Sequence, residues 1–291
     1  MYDTLSVFLM QLLNGLAYGM LLFLLASGLS LIFGIMDILN LAHGSLYMLG
    51  AYIAFSIAGH LHNYWLALIL APILVGVIAL ILEVGLLRPI YARGHLSQVL
   101  LTFGLSYVFS DLARWIWGAE ILSLNPPKIL SGSIEILGQT FPRYRLVVVI
   151  FGFVIAFLLW ALQAKTRWGS ILRAGVGDKE MVSGLGINIR LVFTLVFALG
   201  GVLAGLSGVA AGPILGIYPG MDSETLIFAL IVVVVGGLGS FMATLGGSIL
   251  IGLADTFGKV WFPQFDMFII FAIMALVLML KPSGLFGGRV L

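Results

Sequence analysis

Asp37, Asn40 and His43 stand between two long apolar runs in the stretch GLSLIFGIMDILNLAHGSLYMLGAY, and Ser45 follows directly. An unpaired polar side chain in hydrocarbon costs several kcal/mol, so this break must be a loop, a protein-lined interior or a working site. For His43 two readings stand: a helix-cap or interhelical hydrogen bond that fixes the break, or direct contact with a substrate. Gln98 and Thr102 are further polar groups set in an apolar run, and Gly236, Gly237 and Gly239 mark a place where backbone is exposed. Two acid–base pairs have local explanations. Glu83 lies five residues before Arg88, which suits a snorkelling ion pair better than a proton relay, and Asp111 and Arg114 are one helical turn apart. Catalysis finds little support. A nucleophile with its base, or a metal cluster on facing helices, would be needed, whereas the chain has four scattered histidines, no cysteine and no H-E-x-x-H.

The elements that must hold these groups follow from composition. With 62% hydrophobic and 9% charged residues and a mean hydropathy of +1.19, no water-soluble arrangement of 291 residues hides this much apolar surface. The apolar runs approach or exceed the ~20 residues of a spanning helix, and strand-period alternation is absent. The expectation is an all-α polytopic membrane protein with about eight or nine transmembrane helices, near 8–33, 42–58, 64–87, 97–117, 145–164, 190–211, 224–236, 246–262 and 266–280. The seventh is short and ends among glycines, so a broken or re-entrant pair over about 224–262 is a second possibility. No basic region precedes the first apolar run and no small-residue cleavage site follows it, so the first helix is expected to stay.

A net charge of +2 gives no reason to expect nucleic acid. The distribution of charge is more useful. Arg88 and Arg93 fall in one loop, while Lys165, Arg167, Arg173, Lys179 and Arg190 lie in or beside another, which assigns both loops to the cytoplasm. Lys281 and Arg289 place the C-terminus on that side, and nine crossings then put the N-terminus outside.

Two connections are long. The outer one, about 118–145, alternates around Gly138 like a small β-hairpin and is either a spacer or a contact surface. The inner one, about 165–190, suggests an isolated surface helix: Asp178 can cap it, Glu180 sits in its first turn, and Gly184 and Gly186 can end it. It is either a docking element or an amphipathic connector held at the headgroups by Trp168 and its arginines. Gly200, Gly201, Ala204, Gly205, Gly208 and Gly212 recur at near-helical spacing, which suits close helix packing within the chain or against a sister subunit.

The stretch from Gly28 to Tyr52 resembles the N-terminal signature of LivH-type permeases, the inner-membrane subunits of bacterial ABC importers for branched-chain amino acids. RAGVGDKEMVSGLGINIRLVFTLVFALGGVLAGLSGVAAG from Arg173 to Gly212 is similar to that family's coupling loop and following helix. VVVVGGLGSFMATLGGSILIGLAD from Val232 to Asp255 and KPSGLFG from Lys281 also match, so the resemblance covers nearly the whole chain. Gly177 stands where the family commonly has an acidic residue and Val182 where it often has alanine.

The resemblance implies one transmembrane permease domain over 1–291, multi-pass in the bacterial inner membrane. It implies two cytoplasmic ABC ATPase subunits, a LivM-like sister permease or a second copy of the chain, and a periplasmic substrate-binding protein. The coupling helix would comprise Asp178, Lys179, Glu180, Met181, Val182, Ser183 and Gly184, with Gly186 after it. Asn40, His43, Ser45, Gln98, Thr102, Gly236, Gly237 and Gly239 are the candidates for the translocation path. No cofactor is expected on the chain itself, since no G-x-x-x-x-G-K-[ST] phosphate loop occurs and ATP would be used by partner subunits. Leucine, isoleucine and valine are the implied cargo, with urea, short amides or aromatic compounds as alternatives within the superfamily. A stand-alone secondary transporter is the reading from a different class.

Overall fold

The computed structural model describes residues 2–136, 138–177 and 179–286. Eleven helices follow one another along them: α1 (Tyr2–Met36), α2 (His43–Leu61), α3 (Tyr64–Leu82), α4 (His95–Trp117), α5 (Arg143–Lys165), α6 (Arg167–Gly177), α7 (Lys179–Gly184), α8 (Ile189–Leu215), α9 (Met221–Gly236), α10 (Phe241–Trp261) and α11 (Asp266–Leu280). Strands β1 (Ser133–Ile136) and β2 (Gln139–Pro142) form one antiparallel hairpin in the long loop, with Gly138 at positive φ in its turn. The all-α polytopic fold expected from the sequence is what the chain adopts.

Among the described residues, seven helical stretches are long and apolar enough to cross a membrane. The two shorter apolar helices, α9 with 16 residues and α11 with 15, reach only about 24 and 22 Å at 1.5 Å per residue, short of a ~30 Å hydrocarbon core. Caps explain several boundaries. Asn63 Oδ1 accepts from the backbone of Trp65 and Leu66 to start α3, and Asn188 Oδ1 accepts from Leu191 N to start α8. Ser240 Oγ accepts from Ala243 N, so α10 begins at Phe241 and not near 246. After Leu82 the helix loosens into a π turn over Glu83–Leu87, where Arg88 N donates to Glu83 O, and then tightens into a 3₁₀ turn over Arg88–Arg93. Pro89 has no N–H for a carbonyl four residues back and its ring crowds that site, which accounts for the change of register.

Helix direction alternates along the bundle. At one end, Asp37 after α1 faces His95 at the start of α4 (3.7 Å), and Gln163 near the end of α5 donates to Gly239 O in the α9–α10 turn (3.1 Å). Leu285 N donates to Val235 O (2.8 Å), which brings the segment after α11 to that end too. At the other, Trp117 at the end of α4 donates to Ser56 Oγ (2.7 Å), and the Tyr64 and Tyr144 hydroxyls share a hydrogen bond (2.7 Å).

α8 sits at the centre, packed on α1, α2 and α3. Its small residues make this possible. A Cβ on Gly205 would meet Pro72 Cα at 3.1 Å and Val75 Cβ at 3.0 Å of α3, and one on Gly200 would press on Ile32 of α1. Gly50 and Gly205 face each other across the α2–α8 crossing. The glycine stripe is therefore buried inside the chain. Gly208 lies directly against the Tyr47 carbonyl, where backbone has no rotamer with which to yield. Gly208→Ala is expected to cost roughly 1–3 kcal/mol, read as a lower denaturation midpoint and reduced yield of folded protein in detergent.

Candidate translocation and coupling sites

α1 ends at Met36, Asp37 at φ 60° turns the chain, and residues 37–42 lead back so that the first residue of α2 lies beside Leu25, well before the end of α1. A returning backbone in an apolar bundle must find partners for its N–H and C=O groups. Asn40 Oδ1 accepts from Ala42 N (3.1 Å) and Asn40 O from His43 N (3.2 Å), a local turn that starts α2. Thr102 of α4 accepts from Leu41 N (3.2 Å) and itself donates to Val99 O (3.1 Å). Thr102→Val removes the only acceptor that Leu41 N has among the described residues. It should cost about 1–3 kcal/mol and expose the 37–42 segment to faster amide exchange, while Thr102→Ser should be close to neutral.

His43 is fully buried, with Nε2 3.1 Å from Leu25 O. A carbonyl only accepts, so Nε2 carries the proton in this bond and Nδ1 is an acceptor. Nδ1 has no partner among the described residues, and Asn40 Nδ2 and Gln98 Oε1 are likewise buried without one. A Cβ on Gly28 would stand 3.0 Å from His43 Cε1 and 2.8 Å from Gly200 O, so this imidazole plugs the junction of α1, α2 and α8. Of the two readings for His43, the interhelical bond is formed. Ser45 Oγ donates to Asp222 Oδ2 (2.8 Å), and both residues are buried.

Asp222 escaped the reading of the sequence, which began the seventh span at 224. Its signal was present: Asp222 and Glu224 occupy the first turn of α9, where a carboxylate meets free N–H groups and the positive end of the helix dipole.

The glycine candidates divide. Gly236 packs tightly on Ala243 of α10, and Gly247 on Val232 and Gly236, so they close the α9–α10 seam. Gly237 (φ 113°) and Gly239 (φ 78°) make the turn between these helices. Gly239 N donates to Ser30 Oγ (3.1 Å), and the residue lines a cavity of about 330 Å³ with Trp160, Gln163 and Arg173.

Of the proposed coupling residues, Asp178 lies outside the described residues, and Lys179 and Glu180 begin α7. Val182 is buried, whereas Met181, Ser183, Gly184 and Leu185 are exposed. Gly186 N donates to Ser183 O with Gly186 at φ 80°, which stops the helix. Val182 is thus the buried anchor of α7. The sequence reading foresaw one helix in this loop and missed α6, whose Leu172 is buried while Trp168 is exposed.

α8, which follows this loop, is tied to the α3–α4 elbow by Glu83. The Glu83 carboxylate is fully buried and accepts from Arg88 Nε (3.2 Å) and Nη2 (2.8 Å), from Tyr91 Oη (2.7 Å) and from Thr194 Oγ1 of α8 (2.8 Å). Arg88 also donates to Thr194 Oγ1. Local spacing disclosed the ion pair but suggested a snorkelling one. In the fold only Arg88 reaches solvent, and Glu83 is caged.

The model of the family described as the branched-chain amino acid transport system permease component matches residues 11–278. The chain belongs to this family. It is 28% identical over 294 residues to the high-affinity branched-chain amino acid transport system permease protein BraD of Pseudomonas aeruginosa, covering 96% of each chain. The corresponding protein LivH is 28% identical in Salmonella typhimurium and 27% identical in Escherichia coli K12, again over 96% of each chain. No solved structure matches the chain. A multi-pass permease component is what the family, the helices and the composition together describe.

Proposed function

We propose that this permease is the membrane-spanning subunit of an ATP-binding cassette importer that carries leucine, isoleucine and valine from periplasm to cytoplasm. Two cytoplasmic ATPase subunits, a LivM-like sister permease or a second copy of the chain, and a periplasmic binding protein complete the machine in the bacterial inner membrane. The observation that carries the reading is α7, a short helix with buried Val182, followed directly by exposed Leu185, at the end of the bundle that also bears Arg88, Arg93, Lys165, Arg167, Arg173 and Arg190. By the distribution of basic residues that end faces the cytoplasm, which leaves the N-terminus periplasmic and the C-terminus cytoplasmic. ATPase closure pushes on α7, and α8 conveys the push to α1, α2 and α3. The chain supplies no ATPase chemistry and binds no cofactor of its own.

The test is ATP hydrolysis in nanodiscs holding the chain with its candidate ATPases, sister permease and binding protein, with leucine, isoleucine, valine and urea compared. Leucine-loaded binding protein should stimulate hydrolysis, and the chain alone should show none. Leucine movement by the chain alone, without an ATPase, would replace this reading with a secondary transporter.

A further inference from the structure

A second polar cluster lies away from the 37–45 junction, at the end of the bundle opposite α7. Asn14, Tyr18, Arg145, Asp255 and Lys259 line one open cavity of about 270 Å³ between α1, α5, α8 and α10. Asp255 is the telling member. It is 4% exposed, its Oδ2 accepts from Lys259 Nζ (2.8 Å), and its Oδ1 is buried with no partner among the described residues. A carboxylate oxygen left unsatisfied in an apolar bundle is costly unless a donor arrives. Lys259 stands beside it, and Arg145 lines the same cavity. Arg145 donates to Asn14 Oδ1 and faces no carboxylate within ion-pair distance among the described residues, and a guanidinium has five N–H donors. Lys259 is about half exposed and has Tyr18's ring 5.6 Å from its ammonium.

The rest of the lining is apolar, with Ile214 and Leu215 from the end of α8 and Val260 of α10. Separated charges of both signs beside an aliphatic wall are the complement of a small zwitterion with an apolar side chain. We propose that this cavity is an outer-side binding site for an aliphatic α-amino acid, whose carboxylate meets Arg145 and Lys259 and whose ammonium donates to Asp255 Oδ1. The inference rests on the permease reading and adds to it that the membrane subunit itself grips the cargo.

The experiment is binding of radiolabelled L-leucine to the full chain in nanodiscs, with 4-methylpentanoate and 3-methylbutylamine as competitors that lack the ammonium and the carboxylate respectively. Leucine should bind and both competitors should be at least tenfold weaker. Arg145→Gln, Lys259→Met and Asp255→Asn should each weaken leucine binding about tenfold or more. Arg145→Gln alters a side chain that neutralises no carboxylate among the described residues, so an unchanged melting temperature there separates lost binding from lost folding. Absence of leucine binding, competition by 4-methylpentanoate equal to that of leucine, or unchanged binding in Arg145→Gln and Lys259→Met overturns the site. If the assembled complex still imports leucine under those outcomes, the site alone has failed. If the complex imports nothing, the permease reading has failed with it.

Discussion

Arg88→Ala is expected to destabilise the protein by about 3–5 kcal/mol, a far larger effect than one partly exposed side chain ordinarily has. The reason lies with its partner. Glu83 has no exposure, and Arg88 supplies two of the four hydrogen bonds its carboxylate accepts, at 3.2 and 2.8 Å. Without the guanidinium, the hydroxyls of Tyr91 and Thr194 must support a buried negative charge alone. Arg88→Lys keeps the charge but gives up the two-pronged geometry, so it should fall between alanine and the wild type. Glu83→Gln with Arg88→Gln removes both charges and should be less damaging than Arg88→Ala by itself, a non-additivity that simple loss of side-chain volume does not produce. Denaturant midpoints of the four proteins in one detergent measure this. Equal midpoints for Arg88→Ala and wild type would show that the cage is not holding α8 to the α3–α4 elbow.

The same residues show what the sequence disclosed and what it withheld. Long apolar runs announce spanning helices because hydrocarbon demands some twenty apolar residues and internally satisfied backbone, and that demand is local. Asp37, Asn40 and His43 likewise betray a break, since polar groups are not tolerated idly there. The route taken after the break is not local. Leu41 N is met by Thr102, 61 residues away, and Ser45 by Asp222, 177 residues away. Glu83 and Arg88 pair at short range and were legible, but the burial of the carboxylate depends on Thr194 of α8, which no spacing rule connects to it. Glycines at 200, 201, 205 and 208 announce close approach without naming the neighbour. The fold shows three neighbours around one helix. α9 begins at Met221, ahead of the expected start at 224, because a helix N-terminus welcomes the carboxylates of Asp222 and Glu224 in its first turn.

Leu185→Glu is expected to separate the permease from its ATPases while leaving the membrane bundle intact. Leu185 follows α7 directly and is 74% exposed, and Met181 in the helix is 66% exposed, whereas Val182 between them is 2% exposed. One face of this short segment is therefore spent on holding it to the bundle, and the other offers large apolar side chains outward. A charge placed on an exposed position changes folding stability by within about 0.5 kcal/mol, so the melting temperature of the isolated chain should barely move. At an interface the same charge must be desolvated against an apolar pocket, and a loss of only ~1.4 kcal/mol already weakens association tenfold. Pull-down of the ATPases should fall by at least that factor, and binding-protein-stimulated hydrolysis should fall with it. Val182→Glu is the contrasting variant, since it buries the charge under α7 and should lower the melting temperature of the chain by itself. The competing view makes this loop an amphipathic connector lying at the headgroups, with Trp168 and Leu185 turned into lipid. On that view Leu185→Glu weakens attachment of the loop to bilayer but leaves ATPase capture in detergent unchanged. Unchanged capture would move the coupling function off α7 altogether, and a selective loss of capture with an unshifted melt assigns it there.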